Sequence, residues 1–244
     1  MPYFYIDWYY FILVVPAMLF SLWASARVNR TFAKYSRMCN RSGMTGADAA
    51  RRVLAAHGIH DVRIEPTSGK LTDHYDPKSK VIRLSESVFA QATPAAVGVA
   101  AHEAGHAVQY AVGYAPIRFR AAIVKATNIG SRLSVPLIVV GLLLSSVSRL
   151  AAVSDFFYGV AVLGVLCFGL CVVFQLVTLP TEYNASRRAV ATIEKCGLLE
   201  QGEQAGAKRV LSAAALTYVA ALAVSIGQFL RLLMIVTGGR RRND

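Results

Sequence analysis

Residues Phe156–Leu179 run without a single charged side chain. At about 1.5 Å per residue, a helix of that length covers the roughly 30 Å hydrocarbon core of a bilayer. Backbone immersed in hydrocarbon has no water to bond to, so such a stretch is restricted to helix. Three more apolar stretches lie at about Tyr3–Ala24, Ser134–Val147 and Val210–Val236. The second is short and is expected to extend in both directions. The composition agrees: 55% of the 244 residues are hydrophobic and the mean hydropathy is +0.44, too apolar for an ordinary soluble domain of this size. The expected fold class is an integral membrane protein, mainly α with a small strand set, with three to four transmembrane helices.

The first stretch is rich in aromatic residues (Tyr3, Phe4, Tyr5, Trp8, Tyr9, Tyr10, Phe11), which suit a membrane interface. Ala24-Ser25-Ala26 resembles a signal-peptidase site, so cleavage is one reading. No basic segment precedes the apolar core, and the core is long, which favours an uncleaved anchor.

Lys and Arg number 26 against 14 Asp and Glu, a formal charge of +12. A nucleic-acid binder could share that balance, but the placement of the charge fits a membrane protein, and no nucleic-acid partner is expected. Arg27, Arg30, Lys34, Arg37 and Arg41 follow the first stretch with no acid among them. Arg118, Arg120, Lys125 and Arg132 precede the second, and Arg187, Arg188 and Lys195 follow the third. The positive-inside rule makes these segments cytoplasmic, with the N-terminus and the Arg149–Asp155 connection outside. The last stretch fits less well: a full crossing puts Arg240, Arg241 and Arg242 outside, and Arg231 interrupts it. A re-entrant segment is the alternative; length favours a crossing. The expected organisation is an anchor over residues 1–26, a cytoplasmic domain over 27–132, a transmembrane hairpin over 133–179, a further helical region over 180–209, and an apolar helix with a basic tail over 210–244.

Within the cytoplasmic domain, Thr45 caps a helix that Gly58 stops. Val62–Glu65 reads as a strand, and Lys70–Tyr75 and Lys80–Leu84 flank a turn at Asp76-Pro77-Lys78-Ser79. A further helix runs from Pro94 to about Val112, with Thr93 at its N-cap and Pro at its first position. It carries His102-Glu103-Ala104-Gly105-His106. Residues four apart share a helix face, so both imidazoles can reach one zinc ion. Glu103, one residue on, can take a proton from a water the metal activates. The run Ala95–Ala101 is small and apolar, as in a buried helix, and buried His, Glu and His need partners. None of the four cysteines (Cys39, Cys167, Cys171, Cys196) forms C-x-x-C, and nothing suggests a disulfide framework.

A catalytic zinc takes three protein ligands and keeps one position open. Glu182, expected to open a helix just past the third span, is the candidate third ligand. Two crossings separate it from His102, which returns it to the same membrane face. An acid at a helix start is equally an ordinary surface residue.

Four segments together are specific: Leu71-Thr72-Asp73-His74-Tyr75-Asp76-Pro77, Val99–His106, Leu179–Arg188 and Ala213–Ala220. Through them nearly the whole chain resembles the YugP-like family of membrane neutral zinc metallopeptidases. The resemblance implies a gluzincin-type peptidase with one Zn2+ per chain on His102, His106 and Glu182, and Glu103 as general base. More distantly the chain resembles the HtpX/Ste24 membrane metalloproteases, whose third ligand sits in an E-x-x-x-D segment. Ser186 stands here where their aspartate would orient a ligand histidine. His74 or Tyr75 is a candidate oxyanion donor, against the simpler reading of a polar turn. As the strand before the zinc helix is in many zinc peptidases, Lys80–Leu84 is expected to be an edge onto which an extended peptide substrate adds. Asn184, Arg187, Arg188 and Tyr218 are candidates for holding substrate or for packing. The expected function is a membrane zinc metalloendopeptidase acting on protein or peptide substrates at the cytoplasmic face of the lipid bilayer. The alternative is a non-catalytic, partner-binding membrane scaffold with structural zinc.

Overall fold

A computed structural model describes residues 7–69 and 71–240, with the side chains of 239 and 240 left aside. Tyr3–Tyr5, Lys70, Arg241 and Arg242, which entered the sequence reading, lie outside the described residues. The elements are α1 (Val15–Tyr35), α2 (Gly46–Ala56), β1 (Arg63–Thr67), β2 (His74–Asp76), β3 (Val81–Ser85), α3 (Glu86–Phe89), α4 (Pro94–Ala111), α5 (Ala115–Val147), α6 (Ala151–Lys195) and α7 (Gln201–Arg240). A short π-helical turn at Tyr10–Val14 leads into α1. The chain divides into two compact units. One is built from residues 1–22, 119–178 and 219–244, the other from residues 23–118 and 179–218.

The first unit is the apolar one. Among the described residues, four helices are long and apolar enough to cross a membrane, over Tyr10–Tyr35, Ala115–Val147, Ala151–Lys195 and Gln201–Gly238. The second apolar stretch extends backwards only, to Ala115, and ends at Val147. Glycines let α5 and α6 approach: a Cβ at Gly141 would lie 2.5 Å from the Ala161 nitrogen, and one at Gly164 would lie 2.7 Å from the Ser134 carbonyl oxygen. Small residues at such crossings substitute close packing for the hydrophobic drive that lipid does not provide. Ile138, Ala161, Val165, Leu232 and Val236 form the unit's buried core, while Leu143, Phe156, Leu166 and Leu176 are exposed. Arg231 finds its partner here. Its guanidinium forms a paired contact with Asp7 (Nη2 at 2.9 Å and Nε at 3.0 Å from Oδ2) and lies over the Tyr10 ring. That pairing explains how α7 carries an arginine near the end of an apolar stretch.

The second unit holds α2, the three strands, α3 and α4. Thr45 caps α2 by accepting from the Asp48 N–H, and Gly58, at φ +67°, ends it. Thr93 caps α4 in the same way through Ala96. The helix is buried along most of its length against α2, and its small side chains pack with Val53, Ile82, Leu84, Val88 and Ile193. The three strands lie in the order β1-β3-β2, with β1 parallel and β2 antiparallel to β3. The expected edge strand is therefore the central one. Val81, Ile82, Leu84 and Ser85 are all buried, which only a strand with a neighbour on each side and packing on its faces can sustain. The three-residue β2 and β1 are the edges.

A second correction concerns α6. Glu182 does not open a helix: α6 runs unbroken for 45 residues through Pro180. Its length is roughly 68 Å, more than twice the hydrocarbon thickness. A proline is tolerated inside a membrane helix because its φ is already helical and neighbouring groups satisfy the freed carbonyl.

Candidate metal centre

All the groups that follow belong to the second unit. On α4, His102 and His106 are stacked edge to face with ring centroids 4.7 Å apart. On α6, Glu182 faces them: its Oε2 lies 3.1 Å from His102 Nε2 and 3.4 Å from His106 Nε2. Glu182 is 2% exposed. One ligand atom from each of the three residues falls within 4.8 Å of the others. The close approach of the two helices depends on Gly105, the fourth residue of the histidine motif. A Cβ there would sit 2.8 Å from the Ala185 carbonyl oxygen, on the turn of α6 that follows Glu182.

The far side of each imidazole is also engaged. His102 Nδ1 is 3.1 Å from Ser186 Oγ, and His106 Nδ1 is 3.0 Å from Gln109 Oε1. Gln109 is fully buried, and its amide nitrogen donates to the Thr181 carbonyl at 2.8 Å and to Asn184 Oδ1 at 3.0 Å. When each neutral ring keeps its proton on Nδ1, both Nε2 lone pairs face the Glu182 carboxylate. Three lone-pair donors then converge on one point, and that arrangement is repulsive unless a positive charge sits among them. Burial would lower the His106 pKa, but its hydrogen bond to Glu182 and the charges of Glu103 and Glu182 raise it on balance. Burial would likewise raise that of Glu182, yet hydrogen bonds from His102 and His106 hold its carboxyl far below the usual carboxylate range. Two imidazole nitrogens and one carboxylate oxygen are a donor set suited to zinc, so the residues present fit the metal.

Glu103 is largely buried beside His106, yet it forms no hydrogen bond or ion pair among the described residues. His74 lies exposed on β2 with Nδ1 2.8 Å from the Thr72 carbonyl oxygen. Tyr75 is half-buried, its ring 5.8 Å from that of Tyr110, which is one helical turn beyond His106. Burial and nearby acidic groups push the Tyr75 phenol pKa up, so it keeps its proton. Asn184 Oδ1 accepts from both Gln109 and Arg188 Nε. Arg187 is exposed, and Tyr218 is half-buried on α7.

Sequence reasoning missed Gln109. The available signal was a polar residue three positions after His106, in the apolar second half of α4. It also missed that Asp73 ties the start of β2 to the end of β3, by accepting from the Ser85 N–H at 2.7 Å and from its hydroxyl.

Residues 10–237 match the model of a family described as "Putative neutral zinc metallopeptidase". The chain is 42% identical, over 95% of its own length and 98% of the relative's, to a protein of Bacillus subtilis (strain 168) named "Putative membrane protease YugP". No solved structure matches it.

Proposed function

This chain belongs to the neutral zinc metallopeptidase family, and from that premise we propose that it is a membrane-embedded, gluzincin-type zinc metalloendopeptidase. The observation that carries the reading is the convergence of His102, His106 and Glu182 beside an unpaired Glu103. One Zn2+ per chain would be held by the first three. When bound, the metal would act as a Lewis acid, lowering the pKa of water and polarising the scissile carbonyl.

The chain's own residues supply the rest. Glu103 accepts the proton of the attacking water and returns it to the leaving amine, a general acid–base role worth roughly 10²–10⁴ in rate. Tyr75 is the better candidate for the oxyanion donor. Its O–H stays protonated and can donate, whereas His74 has its Nδ1 engaged with the Thr72 carbonyl oxygen. β2 is paired on one side only and packs on the ligand helix α4. Its open edge, not that of β3, is therefore where an extended protein or peptide substrate adds as a further strand. The basic segments around Arg27–Arg41 and Arg187–Lys195 support a cytoplasmic placement of the site.

The test compares detergent-purified wild type with Glu103→Ala. The expected result is about one zinc per chain in both, with casein or peptide cleavage only in the wild type and abolished by a chelator. Zinc in both with cleavage in neither would favour a structural metal, and vigorous cleavage by Glu103→Ala would remove the general base from the account.

A further inference from the structure

The buried amide of Gln109 has only one chemically sensible orientation. Two of its neighbours are oxygens that can only accept, the Thr181 carbonyl at 2.8 Å and Asn184 Oδ1 at 3.0 Å. Arg188 Nε donates to that same Asn184 oxygen at 2.8 Å, which fixes the Asn184 amide as well. The NH2 group of Gln109 must therefore face Thr181 and Asn184, so Oε1 faces His106 Nδ1 at 3.0 Å. An acceptor at that position requires Nδ1 to carry the proton. The neutral ring then holds its lone pair on Nε2, the atom 3.4 Å from Glu182 Oε2.

We infer that Gln109 is a positioning residue: it holds His106 in the Nδ1–H tautomer and couples that ring to the α6 turn that carries Glu182. The inference rests on the metal reading above. Arg188, Asn184 and Gln109 form one chain of oriented groups ending on a ligand imidazole, and Thr181 and Asn184 are the two residues flanking Tyr183 and Glu182 on α6. His102 has only the Ser186 hydroxyl, which rotates and can donate or accept, so it lacks an equivalent lock. A partner of this kind behind a metal-bound histidine is worth about 10–100-fold in metal affinity. Gln109 touches no reacting atom and is not a catalytic residue.

The test uses detergent-purified, full-length protein and zinc itself as the probe. Zinc affinity is measured by chelator competition, and the zinc-induced rise in Tm is recorded, for wild type, Gln109→Met, Gln109→Glu and His106→Ala. Met keeps the volume and removes every hydrogen bond. Glu keeps an acceptor for Nδ1–H but loses both donor bonds. A purely structural role predicts that Glu is at least as damaging as Met, since it buries a charge against two oxygens. The positioning role predicts a 10–100-fold weaker zinc affinity and a smaller zinc-induced rise in Tm for Met, with affinity restored to within about threefold of wild type in Glu. Wild-type affinity in Gln109→Met, or a loss in Glu matching that in Met, overturns the inference. If Gln109→Glu does not fold, the Met variant decides through its zinc-induced rise in Tm: an undiminished rise overturns the inference. His106→Ala separates the two levels. Unchanged zinc binding in that variant means the metal reading itself has failed.

Discussion

Adding one methyl group at Gly105 tests the link between the α4–α6 contact and the metal centre. The Cβ of Gly105→Ala would lie 2.8 Å from the Ala185 carbonyl oxygen and 3.4 Å from Ala185 C and Cα. These are backbone atoms of a helix and cannot rotate aside, so α6 must retreat from α4 by a few tenths of an ångström. Glu182 lies one turn earlier on α6, 3.1 and 3.4 Å from its two histidine partners, whereas metal–ligand distances tolerate only about ±0.2 Å. Overpacking of this kind costs about 1–3 kcal/mol. Alanine returns about 0.5–1 kcal/mol of helix propensity, too little to offset it. If the remaining strain, about 1.25 kcal/mol at mid-range, falls on metal binding, zinc affinity drops by roughly 8-fold, at 1.4 kcal/mol per decade. The assay is chelator competition on purified protein, with peptide cleavage alongside. Gly202→Ala on α7, where an added Cβ meets nothing within 4 Å, is the control and should match wild type. Wild-type zinc affinity and activity in Gly105→Ala would refute the argument that Glu182 reaches the metal through this helix contact.

Further outcomes are expected. Glu182→Ala should lose zinc together with activity, measured by metal content after dialysis; retained stoichiometric zinc contradicts its role as a ligand. In the metal-free protein, the raised pKa of His106 means that its pairing with Glu182 contributes stability fully below about pH 6.5 and loses it as pH rises through the His106 value. Glu182, with its depressed pKa, contributes above about pH 4.5 and loses its part as pH falls through its own value. Thermal unfolding of the chelated protein between pH 5 and 9 should therefore show decreasing stability at the alkaline end, while zinc affinity rises with pH as the ligands deprotonate. Arg231→Met strips Asp7 of its charged partner and should cost about 1.5–3 kcal/mol of stability, read as a lower Tm with zinc content unchanged. Cys39 and Cys196 are exposed free thiols of the unit that holds the metal site. A cytoplasmic site predicts that an impermeant thiol reagent modifies them in inverted vesicles and spares them in intact cells.

The parts legible in the sequence were those written in local chemistry. Thr45 and Thr93 cap the helices they were expected to cap, Gly58 ends α2, and the spacing of His102 and His106 brings their rings together on α4. The apolar runs marked four helices able to span a membrane, because hydrocarbon leaves the backbone no other choice. What escaped depended on pairings distant in sequence. The place of Lys80–Leu84 before α4 suggests an edge strand, and only the arrival of β1 on its far side makes it central. Pro180 reads locally as a helix boundary, yet the long apolar helix before it carries through to Lys195. Gln109 has no meaning until α6 brings Thr181 and Asn184 against it.

The central claim is that two imidazoles and one carboxylate hold a single zinc ion. X-ray absorption at the zinc edge on the purified wild-type protein tests it most directly. The account predicts about one zinc per chain in a first shell of nitrogen and oxygen only, at about 2.0–2.2 Å, with the scattering signature of two imidazoles. Sulfur scatterers at about 2.3 Å would move the metal to the cysteines, and a shell without imidazole would remove His102 and His106 from it. Either result would contradict the site described.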